Sequence, residues 1–382
     1  MAVCLLSGSK PGPLRAQERW AVSEEPKTVV GSLVGGPGHD LDRVEDATVL
    51  RDGSIAVVSA GTHDIRIFSQ TGGYLRTFGR LGDGPGEFRG RVWWVEECGL
   101  DSLVAFDPAP NRLTYFSPTG TLHGTETIQL PANLLGTRIQ PPFSDGSLLG
   151  VRMATYQDRL GAAISERKRL VDPDGMRRET VHFLRVEEEN LDTLLALETR
   201  DMISVTQKGE GPSATLRAMA PFSAEILWAT GKDFFVVGYG DAQAFRIYDS
   251  RGEQQQVLRG IGAPREATAA DRRAFRIWYL EEGGPENWRE LRQMILEQAT
   301  WSDSIPLFDS AVVDNEGLIW LREFRFDGEK RDWQIYSQVG VHVARATIPF
   351  RIQVYEIGID YVLGEITGDY DEEMVVLLEL SR

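Results

Sequence analysis

Eight side chains fall at equivalent places in a repeated strand pattern, and they carry the chemistry this chain could perform. They are the carboxylates Asp46, Asp107, Glu225 and Asp309, the arginines Arg152, Arg322 and Arg351, and Trp94. Each stands either at the start of the first strand of a repeat or at the end of the second. If the fold returns these positions to one mouth, the carboxylates would offer oxygen ligands to a hard cation such as Ca²⁺. The arginines share that mouth and would oppose a cation. Together with Trp94 they could instead hold an anionic or sugar-like ligand by forked hydrogen bonds and stacking. A third possibility is a rim of paired charges that keeps neighbouring repeats in register and binds nothing.

Other chemistries find little support. His39, His63, His123, His182 and His342 are scattered without metal-ligand spacing. Gly209-Glu210-Gly211-Pro212 lacks the Lys-Ser/Thr of a phosphate loop, and no Gly-x-Ser-x-Gly elbow occurs. Asp172-Pro173-Asp174-Gly175 reads as a hairpin turn. Trp93 and Trp94 are adjacent, so in a strand they point to opposite faces, one between sheets and one inward.

The elements that must position these residues are short strands. Ala47-Thr48-Val49-Leu50, Ile55-Ala56-Val57-Val58, Ile65-Arg66-Ile67-Phe68 and Tyr74-Leu75-Arg76-Thr77-Phe78 are separated by turn signals such as Arg51-Asp52-Gly53-Ser54. The pattern returns with second strands opening at Leu103, Leu148, Phe234, Leu318 and Tyr361. Ile55 to Leu103 spans 48 residues and Leu103 to Leu148 spans 45, a period that suits four-stranded propeller blades. Two gaps are about twice as long. One holds Thr268-Ala269-Ala270-Asp271, a capping box with Asp in place of Glu, followed by a helix over 272–281, the breaker Gly283-Gly284-Pro285, and Trp288, Leu291, Ile295 and Leu296 at helical spacing. The other reads as an outer strand plus an insertion around Lys208-Gly209-Glu210-Gly211-Pro212. The count is then six blades. The expected fold is an all-β, six-bladed β-propeller over 19–382, with insertions at about 186–219 and 264–303. The second of these is helical and lies between blades 4 and 5. The last repeat is short of one strand, and the segment near 28–33 is expected to complete it, so that no sheet edge is left open.

Leu81-Gly82-Asp83-Gly84-Pro85-Gly86-Glu87-Phe88 and the ending Asp360-Tyr361-Val362-Leu363-Gly364, together with the recurrent second strand, resemble bacterial six-bladed β-propeller proteins of the NHL-like kind. The irregular blades and two insertions depart from NHL repeats. The resemblance implies a scaffold and an exported protein, and names no reaction.

The formal charge of −16 over 382 residues argues against a nucleic-acid partner. No apolar run has the length of a membrane span. Residues 1–18 read as a signal remnant or a disordered start. Ala2-Val3-Cys4-Leu5-Leu6 is apolar, Leu14-Arg15-Ala16-Gln17 resembles a cleavage region, and lipidation of Cys4 is a weaker idea. The function expected is that of an extracytoplasmic monomer, periplasmic, secreted or membrane-anchored. It would bind a protein, peptide or small molecule at the mouth that bears both insertions, with no cofactor. The alternative is a Ca²⁺-dependent hydrolase or lactonase of the six-bladed type.

Overall fold

The computed structural model describes residues 18–31, 36–99, 102–131, 134, 136–153, 180–187, 190–199, 202–207, 214–241, 244–259, 261–281, 288–326, 330–349, 352–368 and 370–382. The leader-like start with Cys4, the turn at 172–175, the loop at 208–212, the breaker at 283–285 and Arg351 lie outside them.

Strands dominate. Two short ones, β1 (Glu18–Val22) and β2 (Thr28–Val30), precede β3 (Val44–Val49), β4 (Ile55–Ser59), β5 (Asp64–Phe68) and β6 (Tyr74–Phe78). Next come β7 (Trp94–Glu97), β8 (Leu103–Asp107), β9 (Arg112–Phe116) and β10 (Leu122–Thr127), then β11 (Arg138–Ile139), β12 (Leu148–Met153), β13 (Thr180–Val186) and β14 (Leu191–Glu198). A hairpin of β15 (Met202–Gln207) and β16 (Ala214–Met219) leads into β17 (Ile226–Thr230), β18 (Phe234–Tyr239), β19 (Ala244–Asp249) and β20 (Gln254–Arg259). The short pair β21 (Arg265–Glu266) and β22 (Ser304–Ile305) brackets two helices, α1 (Ala269–Glu281) and α2 (Arg289–Gln298). The chain finishes with β23 (Phe308–Val313), β24 (Ile319–Glu323), β25 (Arg331–Tyr336), β26 (His342–Ile348), β27 (Gln353–Ile357), β28 (Tyr361–Thr367) and β29 (Glu373–Ser381).

The strands β3–β6, β7–β10, β11–β14 and β17–β20 form four-stranded sheets. A nine-stranded sheet joins β23–β26 to β27–β29 and the two N-terminal strands. The result is a propeller-like arrangement. Its turns repeat one chemistry. In the hairpins after β3 and β11, Asp52 and Asp145 each accept from the backbone N–H and hydroxyl of Ser54 and Ser147. Glycine follows at positive φ, as at Gly53 (+81°). At Gly72 the requirement is doubled, because φ is +85° and an added Cβ would sit 2.6 Å from the Val29 carbonyl.

Burial explains why the second strands read as unbroken apolar runs. All five residues of β4 and all five of β8 are buried, whereas the outer strand β10 alternates. A strand covered on both faces needs apolar groups at every position; a rim strand needs them on one face. Outside the insertions, the core clusters join one group of strands to the next. Phe88, Val95 and Phe116 meet Val58 and Ile67, and Trp320 and Trp333 meet Ile357 and Val362. The circuit is completed where Val375 and Leu377 pack on Ile55 and Val57.

The segment expected to complete the last sheet does so over Thr28–Val30, which pairs antiparallel with β29. A second contact was not foreseen. β1 lies between two sheets, parallel to β26 and antiparallel to β29, and this is what fuses them. Trp20 anchors it, buried against Trp320 at 5.6 Å with the Arg382 guanidinium 4.8 Å from its ring centre.

The helical reading of the second insertion is observed, with α1 starting three residues earlier than expected. The Thr268–Asp271 box closes reciprocally: Thr268 N–H donates to Asp271 at 2.9 Å and Asp271 N–H donates to the Thr268 hydroxyl at 3.2 Å. Arg265 adds two hydrogen bonds to Asp271, which together with the Thr268 contacts hold that carboxyl below the usual carboxylate range.

Candidate functional site

The innermost strand of each sheet leaves one backbone edge unpaired toward the centre, and its polar groups must find partners. Side chains of the preceding sheet supply them. The Glu356 carboxylate on β27 accepts from Val49 N–H at 2.9 Å and from the Thr48 hydroxyl at 2.7 Å, both on β3. Asp46 on β3 accepts from Val95 N–H on β7 at 2.9 Å. Trp94 on β7 donates its indole N–H to the Ile139 carbonyl on β11 at 2.8 Å. Glu373 and Tyr355 do the same for the N–H and carbonyl of Val44. Asp46 and Trp94 are therefore staples between successive sheets, and Glu356 is a third that positional alignment does not single out.

These carboxylates are crowded. Burial pushes the Asp46 carboxyl up to about 8; the amide hydrogen bonds from Val95 and Ala47 oppose this, and the charges of Glu356 and Glu45 add to it. Burial, then the charges of Glu356 and Asp46, hold Glu96 on β7 well above the usual carboxylate range, with Lys232 opposing. Glu356 is also hydrogen-bonded by the Tyr361 hydroxyl and by the Asn315 amide. The group can hold protons at neutral pH. Among the described residues, no set of three or more His, Cys, Asp or Glu side chains is placed to share a metal ion.

The remaining sequence candidates divide in two. Asp107 is fully buried, and its carboxylate accepts from the backbone N–H groups of Arg89, Gly90 and Ala109, so it ties the end of β8 to the connection entering β7. Arg152 is buried on β12. Asp309 and Arg322 form an ion pair at 2.6 Å, and Glu225 lies close enough that Asp309 raises its pKa, second to burial. Burial raises Asp309 as well, against the lowering pull of Arg322. So Glu225, Asp309 and Arg322 come together, and Asp46 comes together with Glu96 and Glu356. The two groups occupy different sheets and do not form one ring of ligands.

At the end where the first strands begin, the two insertions pack on each other. Ala218 beside β16 and Ala220 contact Ile295, Leu291 and Met294 of α2. Phe222 is the centre of an aromatic cluster with Phe275 on α1, Trp301, Phe324 and Phe326. Its φ is +62°, a costly conformation for a bulky residue, and its burial among four rings maintains it. The same end carries a cleft of about 360 Å³ lined by Ser310, Arg322, Trp333, Ile352, Gln353 and Val354. It lies where β23–β25 face the start of β27. Sequence reasoning found only Arg322 among these. A smaller cleft of about 200 Å³ is lined by His39, Asp40, Asp42, Asp371, Glu372 and Glu373 with Leu41 and Tyr370. No helix among the described residues is long and apolar enough to cross a membrane.

No family model matches the chain, and no curated protein matches it. Among solved structures it is similar to a member of the DUF4221 family from Bacteroides vulgatus, with 8% identity over 96% of this chain and 100% of that one and a TM-score of 0.50. It is also similar to regucalcin, a calcium-binding protein from Agrobacterium tumefaciens, with 12% identity, coverage of 96% and 97%, and a TM-score of 0.43. At these identities the likeness concerns the fold alone.

Proposed function

We propose that this chain is an exported six-bladed β-propeller whose function is to bind a ligand or partner at the face bearing the two insertions. Six blades are supported by the shared cores that run from sheet to sheet and return from β29 to β4. Export is supported by the apolar and cleavage-like residues ahead of Glu18.

One observation carries the binding reading. The carboxylates of the centre are spent on neighbouring backbone edges, whereas the polar groups of the cleft at the insertion-bearing end are not spent. Asp46, Asp107 and Glu356 each satisfy backbone amides. In the cleft, the Ser310 hydroxyl and the Gln353 amide have no protein hydrogen-bond partner among the described residues. A cleft that sets polar groups beside an aromatic ring and aliphatic side chains can orient a ligand while burying part of it.

Hydrogen exchange with and without small acids, sugars and peptides tests this. Protection confined to the strand ends beside the insertions is expected. Protection at the opposite hairpin turns, around Asp52–Ser54 and Asp145–Ser147, would refute it. A rise in Tm with Ca²⁺ that EDTA abolishes, joined to lactone hydrolysis, would replace binding by the metal-dependent hydrolase.

A further inference from the structure

We propose that the cleft between β23–β25 and β27 binds a small hydroxylated monocarboxylic acid of the sugar-acid class, with Arg322 as the group that grips the carboxylate. This rests on the reading that the insertion-bearing face is the binding face, and it names the ligand chemistry.

Arg322 is held in one orientation. Its Nε donates to Asp309 Oδ1 at 2.6 Å, and its guanidinium carbon lies 5.9 Å from the centre of the Trp333 ring. With the Nε side taken, the end-on pair Nη1 and Nη2 remains, and it makes no hydrogen bond to protein among the described residues. Two parallel N–H donors in a plane match the two oxygens of a carboxylate. The hydroxyl of Ser310 lines the same space and makes no hydrogen bond to protein among the described residues, and Gln353 stands at its edge. Trp333 is 1% exposed, and its indole N–H is buried without a partner. Buried donors are ordinarily satisfied, so the Trp333 N–H calls for an acceptor, and it stands in the same cleft as the open end of the Arg322 fork. Ile352 and Val354 complete the lining and offer an apolar wall to the C–H face of a sugar ring.

The donor set decides the class. N–H donors outnumber acceptors, so an acceptor-rich ligand fits better than a neutral polyol. Charge sets the limit. Asp309 partly neutralises Arg322, and Glu225 stands close enough to Asp309 for the two carboxylates to raise the local negative charge, with Arg331 acting on Asp309 in the opposite sense. A second negative charge on the ligand would face them. The cleft is therefore expected to take monocarboxylates in preference to dicarboxylates and phosphate monoesters. Its volume of about 360 Å³ suits a six-carbon acid at the small end of ligand pockets, which run from roughly 300 to 1,000 Å³.

The experiment is calorimetric titration of the full chain with D-galacturonate, D-gluconate, D-galactose and inorganic phosphate, paired with hydrogen exchange. The acids are expected to bind about ten-fold or more tightly than galactose, with protection at β23, β24 and β27. Arg322→Lys keeps the charge but loses the fork, and should weaken the acids about ten-fold or more. That variant also disturbs Asp309, so Ser310→Ala with Gln353→Leu is the second probe; it should weaken binding similarly while Tm stays close to wild type. Galactose binding as tightly as the acids, or no acid binding at about 10 mM, would overturn the proposal. Acid-induced protection on α1 and α2, unaffected by the Ser310→Ala and Gln353→Leu changes, would overturn this cleft and leave the face standing. Protection at the opposite hairpin turns would overturn both.

Discussion

Replacing Asp46 by Asn should remove a large part of the pH dependence of stability between pH 5 and 9. In the folded protein the Asp46 carboxyl is pushed from its ordinary 3.8 up to about 8, first by burial. The unfolded chain releases this proton near pH 4, so between about pH 4 and 8 the native state holds more protons than the unfolded state. Stability contributed by this group is therefore fully present below the unfolded value and is lost as pH rises toward 8, at up to about 1.4 kcal/mol per pH unit. The ceiling over that interval is about 6 kcal/mol. Asp46 is half-buried by surface exposure, which lowers the penalty, so a loss of about 2–4 kcal/mol is the expected magnitude. Asn keeps an acceptor for Val95 N–H and cannot ionise. Denaturant unfolding at pH 5, 7 and 9 should show the variant more stable than wild type by about 1 kcal/mol at pH 5, with the gap widening to about 2–4 kcal/mol at pH 9. Groups not coupled to Asp46 cancel in the difference, whereas Glu96 feels the Asp46 charge and is eased downward by the substitution at high pH. The groups that cancel include Glu225, Asp309 and Glu365, raised chiefly by burial, and His342, lowered by it. Two curves that run parallel from pH 5 to 9 would refute the argument that Asp46 holds a proton in the native state.

Asp107→Ala removes the acceptor of three part-buried backbone N–H groups, and should cost about 2–3 kcal/mol in denaturant unfolding. Asp107→Asn should recover part of the loss, and binding of any ligand at the cleft should be unchanged. Phe222→Ala removes the ring on which Phe275, Trp301, Phe324 and Phe326 converge, a loss of about 3–5 kcal/mol by large-to-small core precedent. Hydrogen exchange should place that loss in α1 and α2, with β4 and β8 as protected as before. Uniform loss of protection across the sheets would contradict the reading of the insertions as a separately anchored cap.

The repeated strands, their turns and the two insertions were legible in the chain because each depends on neighbours in sequence. The Asp-Gly-Ser turns close on their own side chains, and the capping box at Thr268 and Asp271 spans only four residues. The closing strand at Thr28–Val30 was legible from a deficit, one strand short in the last repeat. β1 was not, because its place depends on Trp20 reaching Trp320, about 300 residues away, and no local pattern encodes that contact.

The candidate site was legible in part. Alignment of repeats put all eight candidates at one height, and of these Glu225, Asp309 and Arg322 lie together whereas Asp46 lies with Glu96 and Glu356. Height alone does not say where a side chain spends its hydrogen bonds. A carboxylate within an inner strand, such as Glu96 or Glu356, was the available signal for the crowded centre, since such a strand otherwise favours apolar residues.

By itself, the order of amino acids determined the sheet repeat, the turn chemistry and the helical insertion, since period and local hydrogen bonding suffice for these, and the missing strand of the last repeat pointed to Thr28–Val30. Only the tertiary structure decided which polar groups are consumed in joining one sheet to the next and which are left facing a cleft. That distinction depends on the unpaired backbone edge of each inner strand. Asp46, Trp94 and Glu356 reach that edge on the neighbouring sheet, and Arg322, Ser310 and Gln353 do not.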